Sequence, residues 1–278
     1  HVVFTLPQEL NQLALYQTKE VYDSLFQASW QTMETFGKKK GVQMGMISVL
    51  HTWGQNLSLH PHIHCIVPGG GVDGTGSWQS IRSDGKFLFS VKALSKVFRA
   101  KYVGILSQKV KLDKELRESL FKKDWVVYAK RPFGSPKSVV EYLGRYTHKV
   151  AISNHRLKSI DEERVTFSYK DYRSQGEKKV MSLTHQEFIR RFAQHILPKR
   201  FVRIRHYGIL SSTWKREKFK RIQANFNIKP AEKQAYQTLN RKCRCCKTGN
   251  LVTIAVFDQR GPPTFYLGDC QNESNHKS

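Results

Sequence analysis

Three histidines separated by single residues stand in one short segment, His60-Pro61-His62-Ile63-His64. The surrounding residues favour a β-strand, and side chains at every second strand position share a face. His62 and His64 are therefore expected to point the same way, with Ile63 packed on the other face. Two imidazoles side by side on a rigid strand form half of a divalent-metal site, although such a pair is also common on a plain polar strand face.

The third ligand of such a site has several candidates. His60 shares the face of the His-x-His pair if the strand continues through the proline, but proline often begins a strand instead. His51 and Gln55, from the preceding strand and its turn, are alternatives, and so is His148. We predict His60 as the third ligand and keep these alternatives open.

Two tyrosines, Tyr142 and Tyr146, are spaced by four residues in a predicted helix. Residues at this spacing share a helix face, so the pair could simply pack on a core. A tyrosine hydroxyl, whose pKa is about 10, is a poor nucleophile unless the phosphate that it attacks is polarised. The predicted metal strand and the flanking basic residues Arg145 and Lys149 could supply that polarisation.

The composition is strongly basic, with 47 Lys and Arg against 22 Asp and Glu and a formal net charge of +25. Such an excess of one sign favours a polyanionic partner, and nucleic acid is the first candidate. A hydrophobic content of 39% indicates a folded protein rather than a disordered tail. No apolar run approaches the roughly 18–20 residues of a membrane span, and no secretion signal is evident.

The chain begins at His1 within a predicted strand, so we expect it to be a piece of a longer protein. Its five cysteines, an odd number, suit reduced thiols or metal in the cytoplasm better than a disulfide framework. The sequence contains no pattern from which the number of subunits can be predicted. We place a catalytic domain at residues 1–210 and a basic, cysteine-containing C-terminal region at residues 211–278, where the sequence becomes polar.

The periodicity predicts an α+β fold. Strands are expected at residues 1–6, 46–53, 61–68, 125–130, 151–157, 165–169 and 179–183, and helices at residues 11–37, 92–111, 138–149 and 184–195. The last helix begins with a capping box, Thr184 followed by Glu187. The order strand, helix, strand, strand, helix predicts an antiparallel, ferredoxin-like sheet with flanking helices and the histidine strand in the middle.

Three further patterns allow two interpretations each. Cys243 and Cys246 have the spacing of zinc ligands, which Cys270 and His276 could complete, or they are spare reduced thiols. The three glycines at residues 69–71 bring backbone amides to a phosphate or form a simple turn, which we favour. The basic residues around Arg205 suit a phosphate backbone or an ordinary solvated surface.

Several long stretches together resemble the HUH transposases of rolling-circle insertion sequences, of the insertion sequence 91 type. They are FTLP (4–7), HTWGQNLSLHPHIHCIVPGGG (51–71), KFLFSVKALSKVFR (86–99), YLGRYTHKVAIS (142–153) and FVRIRHYGIL (201–210). The resemblance covers nearly the whole chain, and the histidine and tyrosine stretches are the most specific.

The resemblance implies an HUH endonuclease fold and a strand transferase for single-stranded or hairpin DNA at transposon ends and for target DNA. In this family the histidine pair, here His62 and His64, holds Mg²⁺ or Mn²⁺. Tyr142 and Tyr146 would be the nucleophile pair, forming a 5′-phosphotyrosine and releasing a 3′-hydroxyl. The family's upstream cysteine-rich zinc-binding region is not in this sequence.

Two other functions remain open at this stage. A rolling-circle replication initiator uses the same nicking chemistry at a plasmid origin. A non-catalytic nucleic-acid-binding protein would use the histidines and tyrosines for stacking and packing only. The latter predicts binding without any covalent product.

Overall fold

The structure, a computed structural model, describes residues 1–81, 88–130, 132–147, 151–217, 241–242 and 245–251. The chain divides into two compact units, His1–Ile228 and Lys229–Ser278. The functional division into a catalytic domain at residues 1–210 and a basic region at residues 211–278 stays a prediction. Among the described residues, none of the helices combines the length and the apolar character that a membrane crossing requires.

The described residues form twelve strands and seven α-helices. The strands are β1 (Val2–Thr5), β2 (Gly45–Trp53), β3 (Leu59–Ile66), β4 (Gly70–Val72), β5 (Trp78–Ser80), β6 (Val127–Ala129), β7 (Leu157–Ile160), β8 (Arg164–Asp171), β9 (Glu177–Thr184), β10 (Ile204–Gly208), β11 (Arg241–Lys242) and β12 (Asn250–Leu251). The helices are α1 (Asn11–Tyr16), α2 (Thr18–Lys39), α3 (Val91–Lys109), α4 (Lys114–Lys122), α5 (Pro136–Thr147), α6 (His185–Ala193) and α7 (Ser212–Glu217).

The main sheet has five antiparallel strands in the order β10-β2-β3-β1-β6. The histidine strand β3 therefore lies in the middle, as predicted, and the α+β fold class is confirmed. Apolar residues on one face of this sheet, such as Phe4 and Ile63, are fully buried in a core shared with α2 and α3, including Leu25 and Phe98. The opposite face of β3 carries His62 and His64.

A second, smaller layer consists of β7, β8 and β9 with helix α6, and we call it the β7–β9 module (Leu157–Ala193). Its inner side packs on the end of β2, where Trp53 and Leu57 share a hydrophobic cluster with Phe167. The predicted capping box is confirmed in part, since the Thr184 hydroxyl accepts a hydrogen bond from the Glu187 amide. The module is thus built directly onto the strand next to β3.

Several local predictions were wrong. Residues 151–156 do not form a strand, because the Arg156 guanidinium donates to the Ser168 carbonyl across a 3₁₀ turn and β7 begins only at Leu157. The predicted helix at residues 11–37 is two helices, broken at Gln17, whose φ/ψ of −122°/48° is not helical. Helix α4 was missed altogether.

The glycine run after β3 belongs to a hairpin and not to a free turn. Gly70 and Gly71 lie in β4, which pairs with β5. A Cβ on Gly70 would stand 2.3 Å from the Gln79 carbonyl oxygen, and one on Gly71 would stand 2.4 Å from that of Gln43. Glycine is therefore required at both positions by close backbone approach.

Candidate active site

Three histidines converge on the face of the main sheet that lies opposite the helix-covered core. His51 on β2 lies directly opposite His62 on β3, and His64 follows two residues later on the same face. One ligand nitrogen from each of the three lies within 4.8 Å of the others. The ring centroids of His51 are 5.5 Å from His62 and 4.7 Å from His64. Among the described residues this is the one cluster of possible ligands that could hold a metal ion.

The surroundings of the cluster suit metal binding. The Nδ1 of His62 lies 2.6 Å from the His60 carbonyl oxygen, which can only accept, so Nδ1 is the donor and this hydrogen bond fixes the orientation of the ring. His51 is only 2% exposed and stacks on Trp53, with ring centroids 4.7 Å apart. Neutral, oriented imidazoles are the form of histidine that coordinates a divalent cation.

The structure brings His51, and not the predicted His60, to the two histidines of β3. The pairs His51–His62 and Trp53–Leu59 leave His60 and Pro61 facing the single residue Thr52, which makes a bulge in β3. A bulge re-aims the side chains of the longer strand, and His60 is exposed, with its ring 5.2 Å from His62 alone among the three. The choice of third ligand from the strand pattern alone is thus corrected towards His51.

Tyr142 lies beside this cluster. Helix α5 carries it, and Ser135, whose hydroxyl accepts from the Ser138 amide at 3.2 Å, caps the start of that helix. The Tyr142 hydroxyl oxygen is 3.0 Å from Nδ1 of His64, and the side chain is half-buried. The structure thus places one predicted nucleophile within hydrogen-bond distance of a predicted metal ligand.

Two residues that the sequence did not single out complete this environment. His1 Nε2 hydrogen-bonds the Tyr142 hydroxyl and lies 3.0 Å from His64 Nδ1. The Phe133 ring lies 5.1 Å from the Tyr142 ring on another side. The pairing of β1 with β3 brings His1 here, and strand pairing between distant segments cannot be read from local spacing.

Other predicted site residues lie outside the described part of the chain. The backbone of Tyr146 belongs to α5, but its side chain and all of His148 are not described. The same holds for Cys243 and Cys270 of the predicted zinc site, whereas Cys246 is exposed and its Sγ accepts from the Gly249 amide at 3.3 Å. These assignments stay predictions.

Arg205 does not lie on the same face of the sheet as the histidines. Its guanidinium pairs with the Asp23 carboxylate of α2 and lies 4.1 Å from the centroid of the Phe26 ring. Arg205 lies opposite Ser48, which is buried on the helix-covered face, so its side chain lies on the core side of the sheet. Its guanidinium is therefore paired within the protein, and the two interpretations of the basic residues around it stay predictions.

The turn that follows His51 is fixed by three side chains of the β7–β9 module and the residues that flank it. Arg156 donates to the Gln55 carbonyl, Arg191 to the Asn56 carbonyl at 3.3 Å, and His195 to the Leu57 carbonyl at 3.1 Å. Because His195 Nε2 donates there, its Nδ1 accepts from the Thr52 hydroxyl at 3.2 Å. His195 therefore ties the turn to the residue next to His51.

We predict that His195→Ala destabilises the protein by about 1–3 kcal/mol, because it leaves the buried Leu57 carbonyl and Thr52 hydroxyl without this partner. His195→Gln, which can both donate and accept, should recover part of the loss. Urea unfolding of both variants measures this, with His155→Ala, an exposed histidine, as the control. Equal stability of His195→Ala and wild type would contradict the tether.

The same tether has a pH dependence. Burial lowers the pKa of His195 below its usual value of 6.5, so the unfolded chain takes up this proton first as the pH falls. Neutral His195 therefore contributes its full share of the folding free energy above about pH 6.5. That share is lost as the pH falls from this value through the lower pKa of the folded state. The stability of His195→Gln should fall less steeply in acid than that of wild type.

The comparisons with known proteins agree on a transposase. Residues 45–218 match a protein family described as "Putative transposase". A relative from Sinorhizobium fredii (strain NBRC 101917 / NGR234), "Putative transposase y4qJ", is 39% identical over 95% of this chain and 75% of its own length. The transposase for insertion sequence element IS801 of Pseudomonas savastanoi pv. phaseolicola is 29% identical over 76% of this chain and 54% of its own length.

Among solved structures, the conjugative relaxase TrwC in complex with mutant oriT DNA covers 69% of this chain and 71% of that chain. Its TM-score is 0.35 at 13% sequence identity. The resemblance to transposases of rolling-circle insertion sequences that the motifs indicated is confirmed by the sequence relatives. The chain belongs to this family of transposases.

Proposed function

We propose that this transposase is a metal-dependent endonuclease and strand transferase for single-stranded DNA, acting through a 5′-phosphotyrosine. The observation that carries the proposal is the position of the Tyr142 hydroxyl, 3.0 Å from His64 in a cluster of three histidines. A nucleophile beside a metal-binding cluster is the arrangement that attack on a phosphodiester requires.

His51, His62 and His64 are the residues that would hold Mg²⁺ or Mn²⁺, since their ligand nitrogens converge within 4.8 Å. Such a cation polarises a scissile phosphate and stabilises the charge that develops on it. The protein's own contribution is orientation, because the strand pairing His51–His62 and the backbone hydrogen bond of His62 fix two of the rings.

Tyr142 attacks the phosphorus through its hydroxyl oxygen. A bond forms between that oxygen and phosphorus, the bond from phosphorus to the 3′-oxygen breaks, and the products are a 5′-phosphotyrosine and a 3′-hydroxyl. His64 cannot take the tyrosine proton while it serves as a ligand, because its other nitrogen then carries a proton. His1 Nε2, which hydrogen-bonds the same hydroxyl, therefore takes the tyrosine proton, and the leaving 3′-oxygen takes a proton from water to become the 3′-hydroxyl.

The substrate follows from charge and family. A net charge of +25 favours a polyphosphate backbone, and the kinship with a transposase of an insertion sequence favours transposon ends and target DNA over a plasmid origin. We propose single-stranded or hairpin DNA at those ends as the cleaved strand. Tyr146, one turn further along α5, is proposed as the second nucleophile that joins strands.

The wild-type chain incubated with end-labelled single-stranded DNA and Mn²⁺ should carry label through a denaturing gel, because the phosphotyrosine bond survives denaturation. Omission of the metal, or addition of a chelator, should remove the labelled band. Tight DNA binding with no covalent band under any metal would instead support a non-catalytic nucleic-acid-binding protein.

A further inference from the structure

We propose that the outer face of the β7–β9 module binds double-stranded DNA and holds the stem of a hairpin next to the active site. This inference rests on the proposed function, since it assumes a DNA substrate, and it assigns the stem to a surface that the cleavage chemistry does not use. The sheet has one side packed on the cluster around Trp53 and the other side open.

The outer face has a distinctive composition. The register of β8 with β9 pairs Arg164 with Thr184 at one end and Lys170 with Lys178 at the other. Alternate residues between these ends point outwards and make eight positions, of which three are cationic, four are hydroxylic and one is Val180. None of the eight is acidic, so the face complements a polyanion.

Its cations are placed for an external partner. Lys170 and Lys178 are both exposed and directly opposed across the strands, and like charges in such a pair destabilise a sheet unless an anion lies between or over them. The carboxylate of Asp171 instead pairs with Lys179, at 2.8 Å, on the inner side. The Glu177 carboxylate likewise lies 3.6 Å from Lys179 Nζ, so both of these carboxylates contact the inner lysine.

Two of the four hydroxyl groups, those of Thr166 and Ser182, are held in a hydrogen-bond network with Arg164. The Arg164 guanidinium donates to the Ser182 hydroxyl at 2.9 Å and to the Ser182 carbonyl at 3.1 Å. The Thr166 hydroxyl donates to Ser182 at 3.1 Å. Oriented hydroxyls and guanidinium groups are the donors that commonly bind phosphate oxygens of a DNA backbone.

The same face discriminates between the two forms of DNA. Sites for single strands rely on aromatic side chains on which bases stack, and none of the eight outward positions is aromatic. A small β-sheet with polar and cationic side chains instead fits a duplex, whose grooves admit strands. The acidic turn at residues 161–163 adjoins Arg164, so the duplex is expected to lie towards the Lys170–Lys178 end.

The β7–β9 module is connected by hydrogen bonds to the strand that carries His51, so a stem bound to the module is held in a fixed position relative to the active site. Arg156, Arg191 and His195 bind the turn directly after β2, the strand that carries His51. Sheets pack about 10 Å apart, so a stem on the outer face lies about one protein layer from the cluster around Trp53. The single strand that leaves the stem then has a short path to His51 and Tyr142.

The test compares two DNA probes with the full chain by fluorescence anisotropy without divalent metal, so that binding is measured apart from cleavage. One probe is a hairpin with a single-stranded tail, and the other is an unstructured strand of the same length. The variant is Lys170→Gln with Lys178→Gln, and the matched control is Lys114→Gln with Lys122→Gln on α4, which removes the same charge from exposed positions.

We expect the module variant to bind the hairpin on the order of tenfold more weakly, with a salt slope smaller by about two. Its affinity for the single strand and the affinities of the control should change by less than about twofold. Unchanged hairpin binding, an equal loss for both probes, or an equal loss in the control would overturn the proposal. A preference of the wild-type face for an RNA hairpin of the same sequence would also overturn it.

The outcome is independent of the proposed chemistry. If the wild-type chain forms no covalent product, the proposed function fails, while a selective loss of hairpin affinity in the module variant still supports this surface. If the covalent product forms but the module variant binds the hairpin normally, the proposed function stands and this inference fails.

Discussion

Tyr142→Phe should abolish the covalent protein–DNA product, a loss of more than about a thousandfold. The variant keeps the ring that packs against Phe133 and His1 and removes only the oxygen that lies 3.0 Å from His64. A folding defect is therefore not expected, and affinity for single-stranded DNA should be unchanged. The product is measured with end-labelled single-stranded DNA and Mn²⁺ on a denaturing gel.

Tyr128 serves as the control for this experiment, and Tyr146 tests the division of work between the two tyrosines of α5. Tyr128→Phe, at an exposed residue of β6, should leave the product unchanged. If the two tyrosines of α5 share the work, Tyr146→Phe should still form the adduct in vitro but block transposition in cells. A double variant at Tyr142 and Tyr146 that still became linked to DNA would show that the nucleophile lies elsewhere.

The second large effect concerns the metal. His51→Ala, His62→Ala and His64→Ala should each lower Mn²⁺ affinity by at least about a hundredfold, since changes to residues around a ligand already cost about 10–100-fold. His60→Ala should change it by only a few-fold, because His60, which lies in the bulge of β3, does not belong to the three histidines whose ligand nitrogens converge. Isothermal titration with Mn²⁺ measures all four, and cleavage should follow the same order.

Measurement of DNA affinity distinguishes the loss of a metal ligand from misfolding of the variant. Binding is expected to rest on distributed lysines and arginines, so the histidine variants should keep most of it. Because His51 is buried, His51→Gln, which better preserves side-chain volume, is measured beside the alanine variant. A large loss of Mn²⁺ affinity in His60→Ala together with normal affinity in both His51 variants would restore His60 as the third ligand.

The sequence predicted the strand and helix that carry the site better than the contacts between residues that are distant in the chain. Alternation on β3 correctly placed His62 and His64 on one face, because that rule is local. His51 could be named only as an alternative, since its approach depends on the register of β2 against β3 and on the bulge at His60 and Pro61. His1 was not foreseen at all, because its contact with Tyr142 joins residues 141 positions apart.

The fold shows the same contrast. The central position of the histidine strand followed from the order of strands and helices, and the cap at Thr184 followed from a four-residue pattern. The prediction of a strand at residues 151–156 was wrong because the Arg156 side chain donates a hydrogen bond to the Ser168 carbonyl. Such a tertiary contact overrides local propensity. The packing of the β7–β9 module on Trp53 likewise has no local signal.

Mass spectrometry of the covalent product tests the central claim most directly. The wild-type chain is incubated with single-stranded DNA and Mn²⁺, digested with nuclease and protease, and the peptide that carries the residual 5′-phosphonucleotide is sequenced. We expect the modification on the hydroxyl of Tyr142. Modification of a residue outside helix α5, or a DNA-linked peptide from the double variant at Tyr142 and Tyr146, would contradict it.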